Sequence, residues 1–176
     1  MKRPVMLSSL LALVLVVAFS AFLATRHPVS GAQSAPSPLL GRVAPALIGR
    51  ELAGGTFDLA KERGQVVVVN FWSSWCGPCR VEAPELSTFA WRERHRGVVL
   101  VGVVFNDSLG DASSFARHYG SLYASVVDPG GLIANRYGVT SPPTTFVIDR
   151  HGRVAVTLLG ATSAHQLESV VARVGS

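Results

Sequence analysis

Cysteine is scarce in this sequence: 176 residues contain two, Cys76 and Cys79. That count excludes a multi-disulfide mini-scaffold and a four-cysteine zinc site. Methionine is equally scarce, and Met1 and Met6 both lie near the start. Only 15% of residues are charged, but 48% are apolar, which excludes disorder for the bulk of the chain. No internal repeat recurs at a fixed period, so a solenoid is excluded. A sustained basic run is also missing. The formal net charge is +5, yet from Leu39 onward 13 Lys/Arg face 11 Asp/Glu, a balance of +2. The excess is Lys2, Arg3 and Arg26. The densest basic stretch, Arg92-Glu93-Arg94-His95-Arg96, reads as a solvated helix face, so nucleic acid is not an expected partner.

One long apolar run is present. Val5 to Ala24 gives 20 residues without a charge, and at about 1.5 Å per residue such a helix matches the thickness of a hydrocarbon core, about 30 Å. Lys2 and Arg3 precede it, so the positive-inside rule keeps the N-terminus cytoplasmic and sends the rest across the membrane. Two readings of the segment stand: an uncleaved single-pass anchor, or a cleaved signal with Ser30-Gly31-Ala32 as the small-residue site. Either one places both cysteines where disulfides can form and persist. Thr25 to Pro38 carries three prolines and no carboxylate, and is expected to be a semi-extended tether. The remaining stretch, Leu39 to Ser176, is long enough for about one domain.

Within that domain Val66 to Trp72 is a β-branched and aromatic run without polar alternation, as expected for a central strand covered on both faces. Pro78 suits a first helical turn, and Val81, Leu86, Phe89 and Ala90 follow at helical spacing to about His95. Gly97–Phe105 reads as a second buried strand and Asp111–Tyr119 as a helix. A short strand at Ser125–Asp128, a turn, a helix at Leu132–Tyr137, a hairpin of Thr144–Asp149 with Arg153–Leu159, and a last helix capped by Ser163 complete the series. The βαβα alternation predicts an α/β domain with a mostly parallel sheet.

Trp75-Cys76-Gly77-Pro78-Cys79 falls between strand and helix. Cys76 therefore sits at a helix N-terminus, where unpaired N–H groups and the macrodipole favour the thiolate. It is expected to be exposed and to be the attacking sulfur. Cys79, one turn in and more enclosed, can attack a mixed disulfide on Cys76, so the pair reads as a redox switch. A structural disulfide would close too small a loop to restrain much chain entropy, and half a metal site lacks partner ligands. Arg80 occupies the place where a haem-attachment motif needs His. Glu82 lies three residues after Cys79 on the same helix face, where apolar surroundings would raise its pKa and let it shuttle the proton of Cys79. Glu85 reads as a surface acid, Trp75 as the rim of the site, and Trp72 and Phe71 as core. Asn70 reads as a strand residue with a local hydrogen bond. His27, His95, His118, His151 and His165 read as surface residues.

Phe71-Trp72-Ser73-Ser74-Trp75-Cys76-Gly77-Pro78-Cys79-Arg80 after a Val-rich strand resembles the thioredoxin superfamily. Asn70, where cytoplasmic thioredoxins carry Asp, and Arg80-Val81-Glu82-Ala83-Pro84-Glu85 resemble the membrane-anchored TlpA, ResA and CcmG/DsbE type. Leu40 to Pro45 resembles that family's opening. Gly102 to Asp107, Val127 to Gly131 and Arg136 to Val139 resemble its central insertion. The resemblance implies a thioredoxin-like fold, with a central mixed sheet, helices on both faces and a TlpA-type insertion. It also implies a cis-proline at Pro143 facing the cysteines. Ser141 and Thr144 depart from the Gly-x-Pro-Glu-Thr-Phe common in the CcmG/DsbE group and come closer to ResA and TlpA.

The expected protein is thus an extracytoplasmic thiol:disulfide oxidoreductase with Cys76, Cys79 and Glu82 as catalytic residues. Trp75, Gly77, Pro78, Pro142 and Pro143 are the expected substrate contacts. It needs no cofactor and no metal. The implied substrate is apocytochrome c, and the implied electron source is a transmembrane thiol donor. A disulfide-donating oxidase, a general disulfide reductase, a peroxidase, and a copper or haem chaperone are the alternatives.

Overall fold

A computed structural model describes residues 14–19 and 31–175. The chain divides into two units, residues 1–30 and 31–176. In the first, residues 14–19 are helical. The remainder of the expected span Val5–Ala24, together with His27 and Ser30, lies outside the described residues. Among the described residues no helix is long and apolar enough to cross a membrane.

The second unit contains, in chain order, β1 (Gln33–Ser34), β2 (Ile48–Arg50), β3 (Thr56–Asp58), β4 (Val66–Trp72), α1 (Gly77–Glu93), β5 (Val98–Val104), α2 (Leu109–His118), β6 (Ala124–Val127), α3 (Leu132–Tyr137), β7 (Thr144–Ile148), β8 (Val154–Leu159) and α4 (Ala164–Val174). Six strands form one sheet in the order β1-β8-β7-β4-β5-β6, and β2 and β3 form a separate hairpin. β4 pairs in parallel with β5 and antiparallel with β7, and the β1–β8 and β7–β8 pairs are antiparallel, so the sheet is mixed rather than mostly parallel. β4 is central, as its apolar run, interrupted only by Asn70, predicts.

Successive side chains of a strand point to opposite faces, and this alternation assigns each residue of β4 its task. Val67, Val69 and Phe71 enter a core with Leu47, Phe57, Ile133, Tyr137 and Phe146. Val66 and Val68 face the other layer, where they pack with Leu86 and Phe89 of α1 and Leu167 and Val170 of α4. Asn70 and Trp72 share that second face. Trp72 joins Cys76, Cys79, Ala83 and Phe115 in a third cluster, stacking on Phe115 with centroids 4.8 Å apart. Each fully buried Val or Phe contributes about 1.5–3 kcal/mol.

Gly102 of β5 is the neighbour of Asn70 in the ladder, and its missing side chain is used. The Trp72 indole crosses it to donate from Nε1 to Ser125 Oγ at 3.3 Å. A Cβ at Gly102 would fall 2.6 Å from both of those atoms. Gly102→Ala is expected to lower stability by about 1–3 kcal/mol through overpacking, read from the midpoint of urea unfolding at unchanged slope.

The structure corrects the expected tether. Residues 25–38 are not a free linker throughout, because Gln33 and Ser34 pair with Leu159 and Leu158 and Ala32 is buried against α4 and β8. The cause is main-chain pairing at an open sheet edge, to which polar side chains are no obstacle. The hairpin β2–β3 was likewise not expected from the sequence. It lays Gly49 so close to Val126 that a Cβ there would sit 2.6 Å from Val126 Cγ1.

Candidate functional site: a dithiol at a helix N-terminus

β4 ends at Trp72, and the chain turns through Ser73, Ser74 and Trp75 before entering α1. Three consecutive residues after β5 hold that turn. Phe105 O accepts from the Ser73 hydroxyl, Asn106 O accepts from Trp75 Nε1 at 3.0 Å, and Asp107 Oδ2 accepts from the Ser74 N–H at 2.6 Å. Asn106 has φ +44°, a left-handed conformation that Asn tolerates better than most residues. Arg80 closes the turn from the helix side, with Nε and Nη2 both on Ser74 O at 3.2 and 3.0 Å. Asp107→Ala is expected to lower stability by about 1–2 kcal/mol by orphaning the Ser74 donor. Asp107→Asn keeps an acceptor there and is expected to lose less than half of that in the same denaturation.

Cys76 is the N-cap of α1, Pro78 sits in its first turn, and the Cys79 N–H points at Cys76 Sγ from 3.1 Å. Cys76 and Cys79 are joined in a disulfide, with Cα atoms 5.2 Å apart, so the structure is the oxidised form. When the bond is reduced, the same N–H and the helix N-terminus stabilise a thiolate on Cys76. The expected exposure of Cys76 needs correction: its accessibility is 5% against 1% for Cys79. The pair belongs to a buried cluster with Trp72, Ala83, Val104, Ala112 and Phe115. The rim is what solvent meets. Trp75 is 54% exposed, Gly77 and Pro78 are exposed, and Pro142 is half-buried. Beside Trp75 runs an open cleft of about 560 Å³ lined by Arg80, Asp111, Phe115 and Tyr119 among others.

The peptide bond between Pro142 and Pro143 is cis. Thr144 pairs with Phe71, so Pro143 is buried one step further, at the carboxyl end of β4 that leads to Cys76.

Glu82 is 1% exposed. Its carboxylate accepts from Asn70 Nδ2 at 2.8 Å, from the Thr162 N–H at 3.0 Å and from the Thr162 hydroxyl at 3.4 Å. Burial dominates and raises its pKa from 4.5 to about 7, against the opposing pull of the Thr162 N–H, Asn70 and the Thr162 hydroxyl. Asn70 makes no merely local bond. It bridges Glu82 and Thr145 Oγ1, while its own Oδ1 is buried without a partner. Glu85 accepts from the Ala164 N–H at 2.9 Å, so this acid caps α4.

His95, His118, His151 and His165 are exposed. Among the described residues no three His, Cys, Asp or Glu are grouped to hold a metal. Sequence reasoning did not single out Asp107 or Thr162. The first could have been found from its place after the carboxyl end of a parallel strand, where open α/β sheets carry their sites. Thr162 has no comparable signal.

A buried cysteine pair closed in a disulfide at the head of a helix, with a buried carboxyl group of raised pKa one turn on, defines a thiol:disulfide oxidoreductase of thioredoxin-like fold. Residues 40–157 match the AhpC/TSA family, and the chain belongs to it. It is 29% identical to the thiol-disulfide oxidoreductase ResA of Bacillus thuringiensis over 77% of this chain and 78% of that one. It is 36% identical to the thiol:disulfide interchange protein HelX of Rhodobacter capsulatus over 71% and 70%. Among solved structures, a thiol:disulfide interchange protein of Chlorobium tepidum superposes with a TM-score of 0.71 at 26% identity, covering 80% of this chain and 99% of that one.

Proposed function

We propose that the protein works outside the cytoplasm as a reductase of protein disulfides, with the Cys-x-x-Cys of apocytochrome c as its substrate. The observation that carries the reading is the asymmetry of the pair. Cys76 has the helix N-terminus and the rim, whereas Cys79 is enclosed with Glu82 one turn beyond. In the reduced protein the Cys76 thiolate attacks one sulfur of the substrate disulfide, forming a mixed disulfide and releasing the other substrate sulfur as a thiolate. Cys79 then gives its proton to the Glu82 carboxylate and attacks Cys76 Sγ. The ring closes, and the second substrate thiolate leaves. Two electrons pass to the substrate, and the oxidised pair is recharged by a transmembrane thiol donor. Trp75, Gly77, Pro78, Pro142 and Pro143 contact the bound chain.

The apolar segment before Thr25 with its preceding Lys2 and Arg3 supports a membrane-tethered or exported location, and the likeness of Arg80 to Glu85 to the cytochrome c maturation group supports the substrate. The Gly77-Pro78 dipeptide favours the reducing direction, as in thioredoxin at about −270 mV rather than DsbA at about −120 mV. Equilibration of the Cys76–Cys79 pair against dithiothreitol tests the direction. A midpoint near the thioredoxin value is expected, whereas one near −120 mV would assign the oxidase. Peptides carrying Cys-x-x-Cys-His should be reduced faster than unrelated disulfides; equal rates would make this a general reductase.

A further inference from the structure

Glu82 is not held by its own helix. Two of its hydrogen bonds come from Thr162, on the loop that joins β8 to α4, and that loop is fastened on several sides. The Thr162 N–H donates to Glu82 Oε2 and the Ala164 N–H to Glu85 Oε2. The Gly160 N–H donates to Pro143 O at 3.0 Å, and Ala161 O accepts from the Ala32 N–H at 2.9 Å. The first and last of these contacts share one peptide group: the carbonyl of Ala161 and the N–H of Thr162 are two ends of one rigid plane. A continuous path thus runs from the Ala32 N–H through that plane to the Glu82 carboxylate. Ala32 is fixed in turn. It is 6% exposed, Gln166 Nε2 donates to its carbonyl at 2.5 Å, and Gln33 and Ser34 continue the pairing along β8.

We propose that the edge segment Gly31–Ser34 belongs to the working redox site: through the Ala32 N–H it sets the Ala161–Thr162 peptide plane, and thereby positions the donor that the Glu82 carboxylate accepts. Hydrogen bonds in series polarise one another, so a donor on the Ala161 carbonyl strengthens the Thr162 N–H as a donor to the carboxylate. A bond to the charged form lowers the pKa of an acid; loss of the Ala32 N–H therefore moves the Glu82 equilibrium toward the protonated form. Ala32 and Gln166 are positioning residues, acting on Glu82 through the loop. The inference rests on Glu82 taking the Cys79 proton.

The ionisable groups around Glu82 are few. Cys79 and Glu85 lie on its own helix, and Tyr123, before β6, feels its charge. From β4 and from the loop it meets the neutral Asn70 and Thr162.

The test uses the full-length chain and the pH profile of disulfide exchange between about pH 5 and 9, with folding checked by circular dichroism. Ala32→Pro removes the N–H, whereas Ala32→Ser keeps it. Ala32→Pro is expected to raise the profile's midpoint by about half a pH unit or more, and Ala32→Ser to leave it in place. In a Glu82→Gln background Ala32→Pro is expected to move nothing further. Gln166→Leu, which loosens Ala32 without touching the main chain, is expected to shift the midpoint the same way by less, and decides the matter should Ala32→Pro not fold. Midpoints unchanged in the folded variants, or an equal effect with and without Glu82, would overturn the inference while leaving the role of Glu82 intact. A wild-type profile that survives Glu82→Gln would instead remove the reading on which the inference rests.

Discussion

Cys79→Ser is expected to stop turnover while sparing the first attack. Disulfide reduction in steady state should fall on the order of a thousandfold or more, as when a residue that forms or resolves a covalent intermediate is lost. The single-turnover reaction of Cys76 with a substrate disulfide should continue and accumulate a mixed disulfide at one equivalent. The reason is positional. Cys79 is 1% exposed and lies within bonding distance of Cys76, so it is placed to attack the bond that Cys76 presents, and water is no substitute nucleophile. Cys76→Ser should behave differently, with neither turnover nor trapped intermediate, because the remaining thiol is 1% exposed. Gel shift and mass spectrometry after mixing with a disulfide peptide separate the two outcomes. A trapped adduct on Cys79 in Cys76→Ser would reverse the assignment.

Glu82→Gln is expected to alter both stability and pH dependence. The folded protein holds the Glu82 proton more tightly than the unfolded chain does, since burial lifts the pKa from 4.5 to about 7. The contribution is fully present below pH 4.5 and fades as pH rises through about 7. Stability therefore declines with pH across that window, by about 3 kcal/mol from this group alone. The glutamine variant should lack this decline and be the more stable protein at pH 8. Its amide can keep an acceptor for Thr162, and the unpaired Oδ1 of Asn70 offers an acceptor for the new NH₂ once the Asn70 amide turns over. In exchange kinetics the direction is opposite. Only the ionised carboxylate can accept the Cys79 proton, so the wild-type resolution rate should climb through about pH 7, and the variant should be slower and lack that step. Urea unfolding at pH 5 and 8 together with stopped-flow resolution rates checks both signs.

The elements legible in the sequence are those whose fate is decided by side-chain pattern. Val66 to Trp72 reads as central because nothing polar interrupts it except Asn70, and the helix after it reads from Pro78 and the spacing of Leu86 and Phe89. The edge strand Gln33–Ser34 and the hairpin Ile48–Arg50 with Thr56–Asp58 depend instead on main-chain pairing over two or three residues, which leaves no hydrophobic period to read. The same division runs through the site. Cys76, Cys79 and Glu82 share one helix, and their spacing places them together. Asn70, Asp107 and Thr162 come from β4, the loop after β5 and the loop before α4, and only the sheet order brings them to one place. The burial of Cys76 was hidden for the same reason, since Val104, Ala112 and Phe115, which share its buried cluster, come from elements that local sequence does not connect to the cysteine motif.

Alkylation of the reduced protein by iodoacetamide as a function of pH, with each cysteine located by peptide mapping, bears most directly on the chemistry. The expected result is that Cys76 alone reacts at neutral pH, along a curve whose midpoint lies well below the value of about 8.5 for a free cysteine, while Cys79 stays protected until the fold is lost. Equal labelling of the two thiols, or a Cys76 that titrates like free cysteine, would contradict the account.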